Sequence, residues 1–416
     1  KPRGCITLLD MSKPKVVVLG GGFAGLAAAR QLSAFSDVTV VDKHNFQTFL
    51  PLLYQVSTAG LAADHVAHPI RGALRKLKVN FRMGSPIEID HENKSIKLDN
   101  GESLKFDYLI VALGSITNDF NIPGVRENSL GMKSISEALK IRSDIMRHFE
   151  ELCSTPNPEI FYISVIGGGP TGVEMAGALA ELVRGPLSSD NQGAASLIKI
   201  RIIEAGDRLL PAFSSKLSLK TAKDLQKLGV EVLTNTQVMQ LSSTVISIAN
   251  NEQLISGLNI WTAGVKAESS MEKLGLPNEF GRISVSETLQ VDNLPYIFAI
   301  GDNAGAKDAS GRFLPMVAPV AMQQGRFVSD QIRRLVQGQE LEKFEYRDKG
   351  SMATIGRHKA VVEIKSIRFT GVLAWYTWLW LHLWYLLGGR NKIGTMADWT
   401  WNYLTFDRGN RHILDI

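Results

Sequence analysis

Two segments of the chain share one order of apolar and polar positions. Lys15–Leu32 opens with a β-branched run, passes through three consecutive glycines and continues as an alanine-rich stretch, and Tyr162–Leu182 repeats that order. A short unbroken apolar run ending in glycines predicts a strand buried on both faces, and the alanine-rich stretch predicts a helix packed closely against it. The repetition predicts a duplicated strand–turn–helix unit. Pro156 and Pro158 ahead of the second copy read as a linker, and the polar stretch Ser188–Ser196 reads as a loop. Strands returning at Ile283–Val285 and Tyr296–Ile300 suggest that the second copy interrupts the domain built on the first.

After Gln337 the composition changes. Strand character near Ala360–Ile364 is followed by a segment, Gly371–Gly389, without Lys, Arg, Asp or Glu, and six of the seven tryptophans lie between Trp375 and Trp401. Two helices are predicted here, Val372–Leu387 and Ile393–Phe406, separated by Gly388–Lys392. The first is apolar nearly all round, which leaves three readings open: an in-plane membrane anchor with Arg390 and Lys392 at anionic headgroups, a buried core or dimer helix, and a true span of marginal length. The expected domains are 11–120 and 281–338 for the first nucleotide fold, 121–280 for the second, and 339–416 for the tail.

The glycines carry the candidate chemistry. Gly20, Gly22 and Gly25, with Phe23 and Ala24 between them, form a GxGxxG turn from strand to helix. A Cβ there would block the tight turn and the approach of backbone to a pyrophosphate, and the helix N-terminus offers N–H groups and a partial positive charge. The next strand ends in Asp42, followed by Lys43, placed to accept hydrogen bonds from a ribose. Gly167, Gly169 and Gly172 repeat the turn, with Pro170 and Thr171 opening the helix. Glu204 ends the strand that follows. A carboxylate at that point binds both ribose hydroxyls and repels the extra phosphate of NADP, so NADH is expected, although Arg208 stands nearby. The fold class is therefore α/β, with two Rossmann-like domains, the second inserted in the first, plus a C-terminal membrane-associating helical tail. Two dinucleotide sites in one chain imply two cofactors, most economically a tightly held flavin and a diffusible nicotinamide.

Composition narrows the field. At 416 residues, 44% hydrophobic and 21% charged, the chain is globular and long enough for two or three domains. A net charge of +5 suits either an anionic membrane surface or an ordinary solvated one, and no basic run with interleaved aromatics points to nucleic acid. The two cysteines, Cys5 and Cys153, are far apart, so no disulfide framework, all-cysteine iron–sulfur site or CxxC pair is expected. His65 and His68 are close in sequence without further ligand types, and no metal is expected. Lys1–Asp10 reads as a leader remnant or upstream extension ahead of a natural start at Met11.

These motifs resemble the two-dinucleotide-binding-domain flavoproteins. Tyr108–Ser115, containing Ala112 and Gly114, looks like the strand and turn that close the first nucleotide fold. Ile297–Ala304 looks like the late motif in which Gly301 and Asp302 reach the FAD ribityl or pyrophosphate. Asn259–Val265, with Ala263 and Gly264, looks like the end of the NADH domain. Within the group the chain is most similar to type II NADH dehydrogenases, single-subunit NADH:quinone oxidoreductases, from about Met11 to the C-terminus. The selective pieces are Phe49–Leu61, Leu314–Gly325, Arg347–Gly356 and the aromatic tail.

The resemblance implies that Thr48, Leu52 and Gln55 lie along the flavin. It implies that Glu174 lies near the nicotinamide on a proton route, against a plain reading as a solvated helix glutamate, and that Lys349 lies near flavin and quinone, against an exposed strand-end lysine. The family's quinone motif, Ala-Gln-x-Ala-x-Gln, meets Ala318, Pro319, Val320, Ala321, Met322 and Gln323. Pro319 brings no amide, so quinone contacts would fall on Gln323 or Gln324. The implied protein is a non-pumping NADH:quinone oxidoreductase and homodimer, peripheral to a membrane, on the cytoplasmic face of the inner membrane if bacterial. A flavoprotein that senses redox state or reduces a protein partner is the alternative. Disulfide reductase and sulfide:quinone chemistry both need paired cysteines.

Overall fold

The computed structural model describes residues 13–414. The extension Lys1–Asp10, with Cys5, and the start at Met11 lie outside the described residues. The chain forms two compact units. One holds the chain through Gln47 together with Pro69–Ile116 and Lys266–Asp348, and the other holds Thr48–His68, Thr117–Val265 and Lys349–Ile416.

In the first unit a six-stranded sheet runs in the order Gln290–Val291, Leu294–Ala299, Tyr108–Val111, Lys15–Leu19, Asp37–Asp42 and Val79–Met83. All neighbours are parallel except the Gln290–Val291 edge. Val16–Leu19 is buried throughout, as a central parallel strand covered on both faces must be. The alanines of the helix Phe23–Leu32 have a packing purpose. A Cβ on Gly325, in the helix Ala318–Val336, would stand 2.3 Å from the Ala24 carbonyl oxygen and 3.1 Å from the Ala27 Cβ. Ser329 Oγ fixes the same contact by donating to the Ala28 carbonyl at 3.0 Å.

In the second unit four parallel strands run in the order Val230–Leu233, Ile198–Ile203, Phe161–Ile166 and Leu258–Trp261. The helix Pro170–Leu182 packs on the strand Ser351–Gly356 of a separate three-stranded antiparallel sheet. Gly177 makes that approach possible, since a Cβ there would meet the Ile355 carbonyl oxygen at 2.0 Å. The polar stretch expected as a loop is helical instead. The chain leaves Leu182 in a π-turn over Val183–Leu187, then forms Ser188–Asp190 and Gln192–Leu197. Asn191 caps the last of these through the Ala194 N–H, and Ala194 and Ala195 are buried. The small apolar residues, and not the polar majority, decide the conformation.

Two tail helices, Val372–Tyr385 and Gly389–Thr405, close this unit. The break falls earlier and is shorter than expected, because Leu386 turns extended and Gly388 takes a φ of +84°. The first helix buries Ala374, Trp375 and Trp378 and exposes Val372, Leu373, Tyr376, Trp380 and Trp384. The second exposes Ile393, Met396, Trp401 and Leu404. No described helix is long and apolar enough to cross a membrane, which removes the spanning reading of the tail.

Candidate active site: two glycine cradles and a buried glutamate

The two glycine turns repeat each other in detail. In the first unit Gly20 has a φ of +107°, and a Cβ there would lie 2.1 Å from the Ala112 carbonyl oxygen; one on Gly25 would lie 1.9 Å from the Gly20 carbonyl. A Cβ on Gly22 would meet nothing within 4 Å. The backbone is thus drawn tight everywhere except at the helix mouth, where no side chain caps Phe23–Leu32. That open, uncapped N-terminus fits a pyrophosphate. Asp42 Oδ2 accepts the Gly21 N–H at 2.7 Å and Oδ1 the His44 N–H at 2.8 Å, while Lys43 turns to Glu268 at 3.2 Å.

The late motif closes on the same unit. Asn303 clamps Gly114 from both sides, accepting its N–H at 2.8 Å and donating to its carbonyl at 3.1 Å. Asp302 accepts the Ser115 hydroxyl. Gly301, with a φ of +72°, donates its N–H to Gln324 Oε1 at 2.6 Å. Gln323 is likewise engaged, donating to the Arg347 carbonyl at 3.0 Å and accepting the Arg347 N–H at 3.1 Å. The two amides on which quinone contacts were expected to fall thus hold backbone turns. Pro319 stands in the first helical turn, where no N–H is needed, with Ala318 and Met322 half-buried.

In the second unit Gly167 has a φ of +114°, and its Cβ would stand 2.5 Å from the Ala263 Cα, with Gly264 packed beside Phe120. A Cβ on Gly172 would lie 1.9 Å from the Gly167 carbonyl oxygen, whereas one on Gly169 would meet nothing within 4 Å. Pro170 opens the helix and Thr171 is exposed. Glu204 Oε2 accepts the Gly168 N–H at 2.6 Å and Oε1 the Gly206 N–H at 2.7 Å. Arg208 is drawn into its own loop, donating to Ser215 Oγ and the Pro211 carbonyl, both at 3.3 Å.

Glu174, two residues beyond Gly172, is buried and not solvated. Its Oε1 accepts two donors, the Trp378 indole N–H at 3.0 Å and the Thr354 N–H at 3.3 Å. Burial pushes its carboxyl up to about 8, against the smaller opposing pull of those two bonds. Glu174 lines a cavity of about 310 Å³ with Tyr54, Gln55, Glu181, Tyr403 and Arg408. Gln55 donates to the Tyr54 hydroxyl at 3.0 Å and accepts the Trp399 indole N–H at 2.7 Å. Thr48 is half-buried, Leu52 fully buried, and Lys349 exposed just ahead of the strand Ser351–Gly356. His65 bonds Asp398 at 2.8 Å, tying the second tail helix to Ala63–Val66. Sequence reasoning missed Trp378, Trp399 and Arg408. The first tail helix is apolar nearly all round, so nothing in its sequence marked the inward stripe of Ala374, Trp375 and Trp378.

Two acid-clamped glycine turns on two parallel sheets define a two-dinucleotide oxidoreductase, and the model of the pyridine nucleotide-disulphide oxidoreductase family matches residues 14–325. The NDH2 C-terminal domain model matches residues 349–408. Type II NADH:quinone oxidoreductase from Mycobacterium tuberculosis is 34% identical, over 96% of this chain and 90% of that protein. The Staphylococcus aureus enzyme of the same name is 30% identical, over 85% of this chain and 90% of that protein. The chain belongs to the type II NADH:quinone oxidoreductase family. Among solved structures, NDH2 from Plasmodium falciparum in complex with NADH superposes with a TM-score of 0.88 at 24% identity, over 97% of this chain and 100% of that one. The sulfide:quinone oxidoreductase of Aquifex aeolicus shares the fold at a TM-score of 0.75 and 16% identity, over 94% and 95% of the two chains.

Proposed function

We propose that this chain oxidises NADH and delivers the two electrons, through a non-covalently held FAD, to a membrane quinone without pumping protons. The observation that carries the reading is the repeated cradle, in which a strand-end carboxylate clamps the middle glycine of an uncapped turn. Gly20, Gly22, Gly25, Asp42, Gly114 and the Gly301–Asn303 turn would hold the FAD, and Gly167, Gly169, Gly172 and Glu204 the NADH. Bound FAD supplies a ring that accepts hydride from reduced nicotinamide and releases electrons to a quinone.

The chain's own contributions are orientation, exclusion of water and the holding of a proton. Glu204 orients the adenosine ribose and disfavours a 2′-phosphate by like charge. Glu174, kept largely protonated at neutral pH, holds a proton on Oε2, because both of its donors converge on Oε1. Lys349, exposed at the head of its strand, would contribute positive charge toward a reduced quinone.

The exposed tryptophans, tyrosine and aliphatic side chains of the two tail helices form an apolar face suited to lie in a membrane interface, with Arg390 exposed toward headgroups. The surface in question is the one facing the compartment that supplies NADH. The homodimer implied by the family is proposed alongside and is read from the mass of the protein in detergent. The function is tested by purifying the protein, releasing its cofactor by heat and assaying NADH oxidation with a short-chain quinone. FAD in the supernatant and quinone-dependent oxidation are expected. Absence of flavin, or oxidation indifferent to quinone, overturns the reading.

A further inference from the structure

The first tail helix sends Trp375 and Trp378 inward and Trp380 and Trp384 outward, and the second sends Trp399 inward and Trp401 outward. Trp378 is 1% exposed and Trp399 6%, whereas Trp380, Trp384 and Trp401 are 62%, 64% and 57% exposed. Two of these inward indoles make a directed bond to a side chain that the sequence marks for the site: Trp378 to Glu174 at 3.0 Å and Trp399 to Gln55 at 2.7 Å. An indole has a single donor, and a buried one needs a partner. Here each partner lies more than two hundred residues away in the chain, and each is a group that the sequence marks for chemistry.

The Trp378 ring is itself held from several sides. His382 stacks on it at 3.9 Å and 22°, Tyr54 meets it edge-on at 6.3 Å, and Trp399 lies at 6.2 Å. His382 Nδ1 donates to the Trp378 carbonyl at 2.7 Å, and burial lowers the imidazole to about 4, so a neutral ring backs the indole. The N–H therefore reaches Glu174 from a fixed direction.

We propose that Trp378 is a positioning residue through which the first tail helix fixes the Glu174 carboxyl and sets its affinity for a proton, with Trp399 doing the corresponding work on the Gln55 amide. The tail then links a surface suited to a membrane to the interior of the site, in addition to anchoring. The inference rests on the reading of Glu174 as the working carboxyl.

The charged and titratable groups around Glu174 come from every element that walls its cavity. They are Tyr54 on one side, Glu181 and Arg184 further along its own helix and the turn after it, Arg357 after the strand Ser351–Gly356, and Tyr403 and Arg408 from the tail. Arg408 is already neutralised, donating to Glu181 at 3.2 Å and to the Thr58 and Ala178 carbonyls at 2.8 and 3.1 Å. Burial holds the Tyr54 and Tyr403 hydroxyls protonated. Arg184 and Arg357 donate instead to the Lys227 and Asn402 carbonyls. The two hydrogen bonds to Oε1 are then the specific stabilisers of the carboxylate, and only one of them comes from a side chain.

The test is a pH titration of the Glu174 carboxyl stretch by infrared difference spectroscopy on the flavin-loaded protein, with Glu174→Gln identifying the band. Trp378→Phe keeps an aromatic ring at the position and removes the N–H. The carboxylate loses a donor, so the midpoint should rise by about one pH unit, the size expected for one hydrogen bond to a charged acceptor. Trp380→Phe, on the outward face of the same helix, should leave the midpoint in place. In the wild-type protein the nitrogen-labelled Trp378 indole resonance should follow the same titration, a measurement that needs no stable variant. A midpoint unmoved by Trp378→Phe, or an indole resonance that ignores the titration, overturns the proposal. Flavin reoxidation by quinone, followed over the same pH range, separates the two levels. A wild-type flavin that quinone does not reoxidise sinks the functional reading, while the infrared result still decides the link between Trp378 and Glu174.

Discussion

Glu204 accepts the Gly168 N–H at 2.6 Å, so the carboxylate proposed to meet the ribose also fixes the middle of the second glycine turn. On that proposal one residue sets both the affinity for the nucleotide and the choice between NADH and NADPH. Glu204→Gln removes the charge and weakens the clamp. The preference for NADH over NADPH, measured as the ratio of second-order rate constants for flavin reduction, should fall by about tenfold or more, as expected for a hydrogen bond to a charged group. An unchanged ratio would show that discrimination lies elsewhere.

Glu174 makes stability depend on pH. Its carboxyl is raised from an ordinary 4.5 to about 8 in the folded protein, so folding favours the protonated form. That contribution is complete below pH 4.5, falls by up to about 1.4 kcal/mol per pH unit above it, and is gone once the pH passes 8. Glu174→Gln lacks this decline. The Tm of the variant relative to wild type should therefore rise between pH 4.5 and 8 and level off above. Parallel Tm curves would mean that Glu174 is not held protonated.

The contact of Gly325 with Ala24 admits no side chain. Gly325→Ala places a methyl group 2.3 Å from a backbone oxygen, and the two helices must part. A cost of about 1–3 kcal/mol is expected, with a Tm lowered by several degrees. Thermal melts of the flavin-loaded variant check it, and an unaltered Tm would contradict the close packing.

Trp380 and Trp384 dominate the outward face of the first tail helix, their rings stacked 5.7 Å apart. Replacing both with serine removes much of the apolar area available to a bilayer. Partition into vesicles containing anionic lipid, measured by co-sedimentation, should fall at least about tenfold. Undiminished partition would place the membrane contact on another surface.

How much was legible in the sequence depended on the range of the interactions. The glycine turns and their acids are legible because Asp42 and Glu204 each stand at the end of the strand that follows the glycine helix, 21 and 36 residues after the glycine they hold, and glycine is the one residue that tolerates the contacts at Gly20 and Gly25. Helix-forming power in Ser188–Ser196 was hidden because a capping asparagine and two buried alanines outweigh a polar composition. The surroundings of Glu174 were not legible, since Thr354 and Trp378 come from far along the chain. The bonds of Gln323 and Gln324 to backbone at Arg347 and Gly301 were not legible for the same reason.

The central claim is electron flow from NADH through a bound flavin to quinone. The most direct test is anaerobic stopped-flow absorbance of the flavin band, mixing the protein first with NADH or NADPH and then with a short-chain quinone. The account expects rapid bleaching by NADH, slower bleaching by NADPH, and rapid recovery of colour with quinone. Bleaching without recovery would contradict it, leaving the cradles in place but removing quinone as the acceptor.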